Sequence, residues 1–458
     1  VNVSPLVERA WRPSPPAREA IADGALPEPG HVPRPMRLPP APRRLKILIA
    51  YSRSPLPMRR GDELTVAHLL EFLAARGHVV DFVSLLPPGS QLSAEHADWL
   101  ASRCRRTLLI PHGHLAVFAG TVHSLLRGLP VQVGYFSSPQ QASTIERWVA
   151  TEQYDLACAY YVRSAEMVRP VAQAAKLSVL ALQISQTLNT GRLAQTAPGR
   201  LARLFYAFES RRMAAYEARI WQSFDRVVLI GRKDVEAIEA ACRAHGQPTI
   251  RNVLFGPHGV DIERFRPRRP DLAEPATVVL SGVMCYTPNV EAVLWFTREV
   301  WPRIRAVVPE AKLILVGRDP TAAVRALHGT SGITVTGTVA EPADWLARAT
   351  VCVAPMRAAA GLQNKILEAF AMGRPVVATT IANEGIGAQH RCELLLADDP
   401  ETFASSVLEL FADADLRARL GAAARRFVED RWTWEKPFLE LERAWFEALA
   451  DRERDRAV

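Results

Sequence analysis

From Lys46 onward, short apolar runs alternate with longer amphipathic segments. KILIAYS reads as a strand, Gly61 to Arg76 as a helix, and HVVDFVSLL, TLLIP, LACAYY and LSVLAL as further strands with helices between them. An amphipathic stretch from about Arg200 to Ser223 precedes the run RVVLIG. Such a βα series predicts a mainly parallel sheet covered on both faces. A second series of the same kind opens at TVVLSG, residues 277–282. A helix is predicted from Asn289 to Arg305, where Val290, Val293, Leu294, Thr297, Trp301 and Ile304 keep helical spacing, followed by AKLILVG, ITVTG, VCVAP and PVVAT. After Leu396 the pattern predicts helices over roughly 400–412 and 414–430, and then WTWEKPFLELERAWFEALA.

The fold class expected is therefore α/β, with two doubly wound Rossmann-like domains. The divisions are a leader over 1–44, a first domain over 45–255, a hinge over 256–275, a second domain over 276–430 and a C-terminal helix over 431–458. The hinge, GPHGVDIERFRPRRPDLAEP, is marked by Gly, Pro and charge. The last helix packs on its own domain or crosses back to the first.

A chain of 458 residues that is 48% hydrophobic can bury two large cores. Its net charge of +8 and pI near 9.4 owe something to the Pro- and Arg-rich leader, which reads as disordered. A basic tail can lean on anionic lipid or nucleic acid, and the plainer reading is an extension with no specific partner. The leader lacks an apolar signal-peptide core, and no run reaches about 18 apolar residues, so a soluble intracellular protein is expected. Cys104, Cys158, Cys242, Cys285, Cys352 and Cys392 are far apart and several fall in strands, which predicts reduced thiols and no zinc site.

The chemistry concentrates in residues 351–379, VCVAPMRAAAGLQNKILEAFAMGRPVVAT. Leu362, Ile366, Ala369 and Phe370 would pack a helix on the sheet, leaving Gly361, Asn364, Lys365 and Glu368 on its other face. A helix beginning near Gly361, at the carboxyl end of a strand, favours an anion there. Lys365 adds a full positive charge for a diphosphate, and Glu368 can accept two hydrogen bonds from a ribose diol. The competing account is a solvated helix face carrying an ordinary Lys/Glu pair.

These residues resemble the retaining glycosyltransferases of family 4, with the GT-B fold of two Rossmann-like domains facing each other across a cleft. GLQNKILEAFAMGRPVVAT at 361–379, GPHGVDIERFRP at 256–267 and SGVMCYTPNVEAVLWF at 281–296 carry the likeness, which spans most of residues 45–435. The wording is most similar to a sugar transferase subgroup of bacterial exopolysaccharide loci. The resemblance implies that Glu368 holds the ribose hydroxyls and that Gly361, Leu362 and Gln363 offer backbone amides to the diphosphate beside Asn364 and Lys365. It also implies that Gly282 lets the backbone approach the phosphates and that Gly337, Thr338 and Val339 sit near the base. Arg60, Gly61 and Asp62, in RRGDE, would face the donor phosphates and the acceptor, unless this is a plain turn with Asp62 as an N-cap. The chain departs from the family at Ala360, where a first glutamate is usual, and at VMCYTPN, which lacks the usual basic pair. Phosphate neutralisation then falls to Lys365, with Arg357 or Arg60. The hinge asparagine is replaced by His258, in a turn that depends more on Gly259.

The function expected is transfer of a sugar from a nucleotide diphosphate sugar, a UDP- or GDP-sugar, to an acceptor hydroxyl with retention. Lys365 and Glu368 are the catalytic candidates, with no permanently bound cofactor and no metal required. The acceptor would be a saccharide, a lipid-linked saccharide or a small aglycone. Arg200, Arg203, Arg211 and Arg212 would allow contact with the inner membrane face, and no nucleic-acid partner is expected. The alternatives are a nucleotide-sugar epimerase or an inactive nucleotide-sugar-binding partner protein. A dehydrogenase fits less well, because no GxGxxG follows either opening strand.

Overall fold

Each apolar run of the first series forms a strand of one seven-stranded sheet in the computed structural model, which describes residues 35–58, 61–86, 89, 92–196, 199–256, 258–269, 272–357 and 362–457. The first 34 residues of the predicted leader thus lie outside the described ones. The strands are β1 (Lys46–Tyr51), β2 (Val79–Leu86), β3 (Arg106–Pro111), β4 (Leu156–Tyr160), β5 (Leu177–Gln183), β6 (Arg226–Leu229) and β7 (Val253–Phe255), in the order β3-β2-β1-β4-β5-β6-β7. β1 runs parallel to both neighbours, with Ile49 opposite Phe82 on one side and Cys158 on the other.

The second series forms a six-stranded sheet of β8 (Thr277–Ser281), β9 (Lys312–Val316), β10 (Ile333–Gly337), β11 (Val351–Ala354), β12 (Val376–Ala378) and β13 (Leu395–Leu396). Its order is β10-β9-β8-β11-β12-β13. Both sheets reverse direction of winding beside their first strand, so each has a switch point, between β1 and β4 and between β8 and β11. In open α/β sheets ligands bind at such points, outside the carboxyl ends of the strands.

Alternation along the second sheet explains its two cores. Val279, Ile314, Cys352 and Ala354 face one layer with Ile366 and Phe370. Val278, Leu280, Leu313 and Val353 face the other, with Phe296, Trp301 and Phe403. Cys104, Cys158, Cys242 and Cys352 are buried reduced thiols, and burial pushes Cys158 and Cys352 up to about 12, where they are inert.

The helices that matter below are α1 (Gly61–Ala75), α2 (His114–Leu126), α3 (Val131–Tyr135), α4 (Gln186–Thr196) and α5 (Arg200–Ile220), then α6 (Thr287–Trp295), α7 (Asn364–Ala371), α8 (Pro400–Ala412), α9 (Ala414–Arg431) and α10 (Glu435–Ala457). The helix predicted from Asn289 starts earlier, at Thr287, and passes through a π turn at Phe296–Val300 before resuming. Pro302 has no N–H for the carbonyl of Arg298, and the ladder there widens, Trp301 N bonding Phe296 O instead. The apolar pattern did not single out β7 or β13, only 3 and 2 residues long.

Two compact units result. One comprises the chain up to Val228 with Val235–Val253 and Glu447–Val458, and the other Leu229–Asp234 with Leu254–Phe446. Helix α10 is shared between them, its residues from Glu447 onward belonging to the first unit.

Candidate active site

The second unit's switch point is built from two glycines, an asparagine and a lysine. β8 ends at Ser281, and Gly282 follows at φ +155°, so close to Asn289 that a Cβ would lie 2.8 Å from its amide nitrogen. A Cβ on Gly317, after β9, would lie 1.6 Å from the carbonyl oxygen of Gly282, so only glycine lets these two loops cross. Asn289 Nδ2 donates to Val283 O at 2.9 Å, which fixes the amide and turns Oδ1 toward Lys365. Lys365 Nζ donates to that oxygen at 2.7 Å and lies 3.2 Å from Met356 Sδ and 3.5 Å from Gln363 Oε1. One amine thus joins the loops after β8 and β11. Burial lowers its pKa to about 8, against the pull of Glu368.

Glu368 lies one turn along α7. Burial raises its pKa, while Arg264 and Lys365 oppose the shift. No hydrogen bond ties its carboxylate to another described side chain, whereas Arg264 Nε bonds Glu341 Oε1 at 3.1 Å. A half-buried carboxylate without a hydrogen-bonding side chain among the described residues is suited to accept donors from a ligand.

Helix α7 begins at Asn364, with Gln363 as its N-cap residue, and not near Gly361 as the pattern suggested. Gly361 itself lies outside the described residues, as do Ala360 and Arg60. Leu362 packs on the apolar core, as expected. The Asn364 side chain is engaged inward, accepting at Oδ1 from His258 Nε2 at 2.7 Å. His258 is buried against Trp434, ring centroids 5.6 Å apart, and burial lowers its pKa to about 4, so the imidazole is neutral. A Cβ on Gly259 would lie 2.9 Å from both the Trp434 ring and its backbone nitrogen, and Val260 N donates to Trp432 O at 2.8 Å. The start of the predicted hinge is therefore fastened to α7 and to the WTWE segment within this unit.

Gly337 ends β10 at φ +68° with open space where a Cβ would stand, and Thr338 beside it is exposed. Val339 packs instead on the core. Arg357 is exposed, its guanidinium 5.5 Å from the ring centroid of Trp295 on α6, and its charge opposes the rise that burial gives the pKa of Glu291. The structure thus gathers Gly282, Gln363, Lys365 and Glu368 and sets Arg357 over Trp295 of α6. Asn289 was missed as a site residue, although TPN at the mouth of a helix after a β-strand glycine is a signal for it.

In the first unit, Gly61 and Asp62 open α1. Asp62 stands inside the helix and not at its N-cap, and its Oδ2 accepts from Tyr51 OH at 2.9 Å. Arg53, directly after β1, is buried 3.7 Å from Asp62 and 3.8 Å from Glu63, and its guanidinium lies 5.4 Å from the centre of the Phe136 ring. Arg163, after β4, lies 4.9 Å from the same ring, and burial together with the charge of Arg53 lowers its pKa to about 10. Two arginines and two acids therefore meet at this sheet's switch point. Neither Arg53 nor Arg163 stood out in the sequence, because their proximity depends on β1 and β4 being neighbours.

Two doubly wound units, each built on a parallel Rossmann-like sheet, match the GT-B architecture of solved glycosyltransferases. Residues 275–413 match the family described as glycosyl transferases group 1, so this part of the chain is a glycosyltransferase domain and the protein is a transferase. The chain is 20% identical over 401 residues to an uncharacterized 44.6 kDa protein in the cps region of Klebsiella pneumoniae, covering 86% of this chain and 98% of that one. It is 32% identical over 204 residues to the GDP-mannose-dependent alpha-(1-6)-phosphatidylinositol monomannoside mannosyltransferase of Mycobacterium tuberculosis, covering 39% of this chain and 52% of that one. Among solved structures, sucrose-phosphate synthase from Thermosynechococcus elongatus matches with a TM-score of 0.64 at 21% identity, over 89% of this chain and all of that one (100%). Anabaena HepE in complex with UDP matches with a TM-score of 0.61 at 14% identity, over 88% of this chain and 100% of that one.

Proposed function

We propose that the protein transfers a sugar from a nucleotide diphosphate sugar to an acceptor hydroxyl with retention at the anomeric carbon, in exopolysaccharide or related glycan assembly. The observation that carries this reading is Lys365, held by Asn289 across the β8–β11 switch point one turn from a carboxylate without a hydrogen-bonding side-chain partner among the described residues. The leaving group is a nucleoside diphosphate, so the reaction is helped most by groups that stabilise its growing negative charge. Lys365 supplies that charge by turning from Asn289 Oδ1 to a phosphate oxygen, with backbone amides at Leu362 and Gln363 beside it. Glu368 accepts the ribose hydroxyls, and Gly337 and Thr338 leave room for the base. Gly61 and Asp62 belong to the acceptor side, where Arg53 and Arg163 add positive charge.

The name of the mycobacterial relative favours GDP-mannose as donor, and the HepE complexes favour UDP. The likeness to a protein of a cps region supports the polysaccharide role.

Calorimetric titration of UDP, GDP, dTDP and ADP and their sugar conjugates tests the pocket. One nucleotide should bind selectively to the wild type and at least tenfold more weakly to Glu368→Ala. Lys365→Met should lower kcat with the correct donor by about 100-fold or more. NMR of the glycosidic product reads retention. Release of nucleoside diphosphate only when acceptor is present separates transfer from epimerisation, and absence of binding by every nucleotide would overturn the assignment.

A further inference from the structure

Helix α2 is built inside out. Of its residues only Ser124 is buried, and the row that faces the protein is small. A Cβ on Gly120 would lie 2.2 Å from the carbonyl oxygen of Gly134 in α3, and one on Gly134 would lie 2.3 Å from Ser124. The large apolar side chains point the other way. Leu115 is 86% exposed and Leu126 83%, with Phe118, Val122 and Leu125 exposed between them at helical spacing.

The first half of α5 repeats the pattern. Leu201 and Leu204 are 63% and 66% exposed, and Phe208 continues the row one turn on. The two helices meet through Arg212, which lies over the Phe208 ring at 4.9 Å and donates to Leu125 O at 2.9 Å. Arg212 therefore serves to join the helices, while Arg200, Arg203 and Arg211 remain exposed on the same half of α5 as the leucines. α2 contains no acidic residue. Glu209, the acid in this half of α5, is buried and accepts from Val131 N and Gln132 N at 2.9 and 3.0 Å.

We propose that the face formed by α2 and the first half of α5 docks the protein on an anionic lipid bilayer, the leucines and phenylalanines entering the headgroup boundary and the arginines meeting lipid phosphates. An exposed apolar patch of this extent marks an interaction surface, and its charge selects among partners. A second copy of the same face would set arginine against arginine, whereas an anionic interface satisfies both the apolar row and the cations. The proposal stands independently of donor chemistry, since no residue of the nucleotide site takes part.

Flotation of the full chain with vesicles tests it. Binding is expected to vesicles of phosphatidylglycerol and phosphatidylcholine, to weaken at 0.5 M salt on the order of the Debye screening, and to be far weaker to phosphatidylcholine alone. Leu115→Gln, Leu126→Gln and Leu204→Gln combined should weaken binding at least tenfold with an unchanged Tm, as should Arg200→Glu, Arg203→Glu and Arg211→Glu. Nucleotide affinity should be unaltered in both variants. Failure of the wild type to float with anionic vesicles, or equal binding by the variants, would overturn the proposal. So would a wild-type dimer in sedimentation that the leucine variant dissociates, since the face would then join two copies.

Discussion

Lys365 and His258 are polar groups whose burial sets their charge, and each makes the protein respond to pH in a definite direction. With a pKa lowered to about 8, Lys365 is part neutral at pH 8, and a bound diphosphate would draw a proton onto it. Nucleotide titration at pH 8 in buffers of different ionisation heat should therefore report uptake of about half a proton per site. Lys365→Met should abolish that uptake. His258 is lowered to about 4 in the fold from an unfolded value of 6.5. The unfolded chain then binds a proton that the native one refuses, so stability present above pH 6.5 is lost as pH falls toward 4, by about 3 kcal/mol in all. Urea unfolding of wild type and His258→Asn between pH 7 and 4.5 checks this, the variant showing the flatter profile.

At the scale of elements, α5 does work that its own sequence conceals. Glu217 looks like an acid on a solvated helix, yet it is buried and accepts from Gln186 N at 2.7 Å, Thr187 N at 3.1 Å, Thr187 Oγ1 at 2.7 Å and Ser185 Oγ at 2.9 Å. It thereby satisfies the first turn of α4, whose amides have no intrahelical partner. Glu209 does the same for α3. Glu217→Ala should destabilise the first unit by about 3 kcal/mol in urea unfolding, because buried donors are left without an acceptor, and Glu217→Gln should cost less. Local caps were easier to foresee. Asp399 in DDP accepts from the N–H groups of Glu401 and Thr402 at 3.0 Å each, as a helix start with Pro400 at its first position would suggest. The pattern placed the start of α7 near Gly361 and the structure places it at Asn364, since the apolar spacing that begins at Leu362 continues through a non-helical N-cap.

On the scale of the whole molecule, the chain returns to its first unit at its end. Ala448 and Leu449 are buried, Arg452 pairs with Asp225, and Arg43 bonds Glu453 at 3.2 Å. Ending the chain after Phe446 should destabilise the first unit by about 2 to 4 kcal/mol, chiefly through the lost apolar burial. Limited proteolysis followed by mass spectrometry would read this as earlier cleavage within the first unit while the fragment beginning near Leu254 persists. If both units were cleaved at the wild-type rate, the C-terminal segment would be dispensable to that unit.

The sequence by itself determined the βα alternation, the strands of both sheets apart from β7 and β13, and the lysine and carboxylate one turn apart on α7, because these depend on periodicity and on residues close along the chain. Only the tertiary structure decided that Asn289 holds Lys365, that His258 holds Asn364, and that Arg53 and Arg163 converge on Phe136. Each of those contacts joins residues far apart along the chain, on segments that tertiary packing makes neighbours, and no local pattern encodes that packing. The outward turn of α2 was hidden for the same reason. Its leucines have the spacing of a core helix, and it is the close approach of Gly120 to Gly134 that turns the opposite face to the protein.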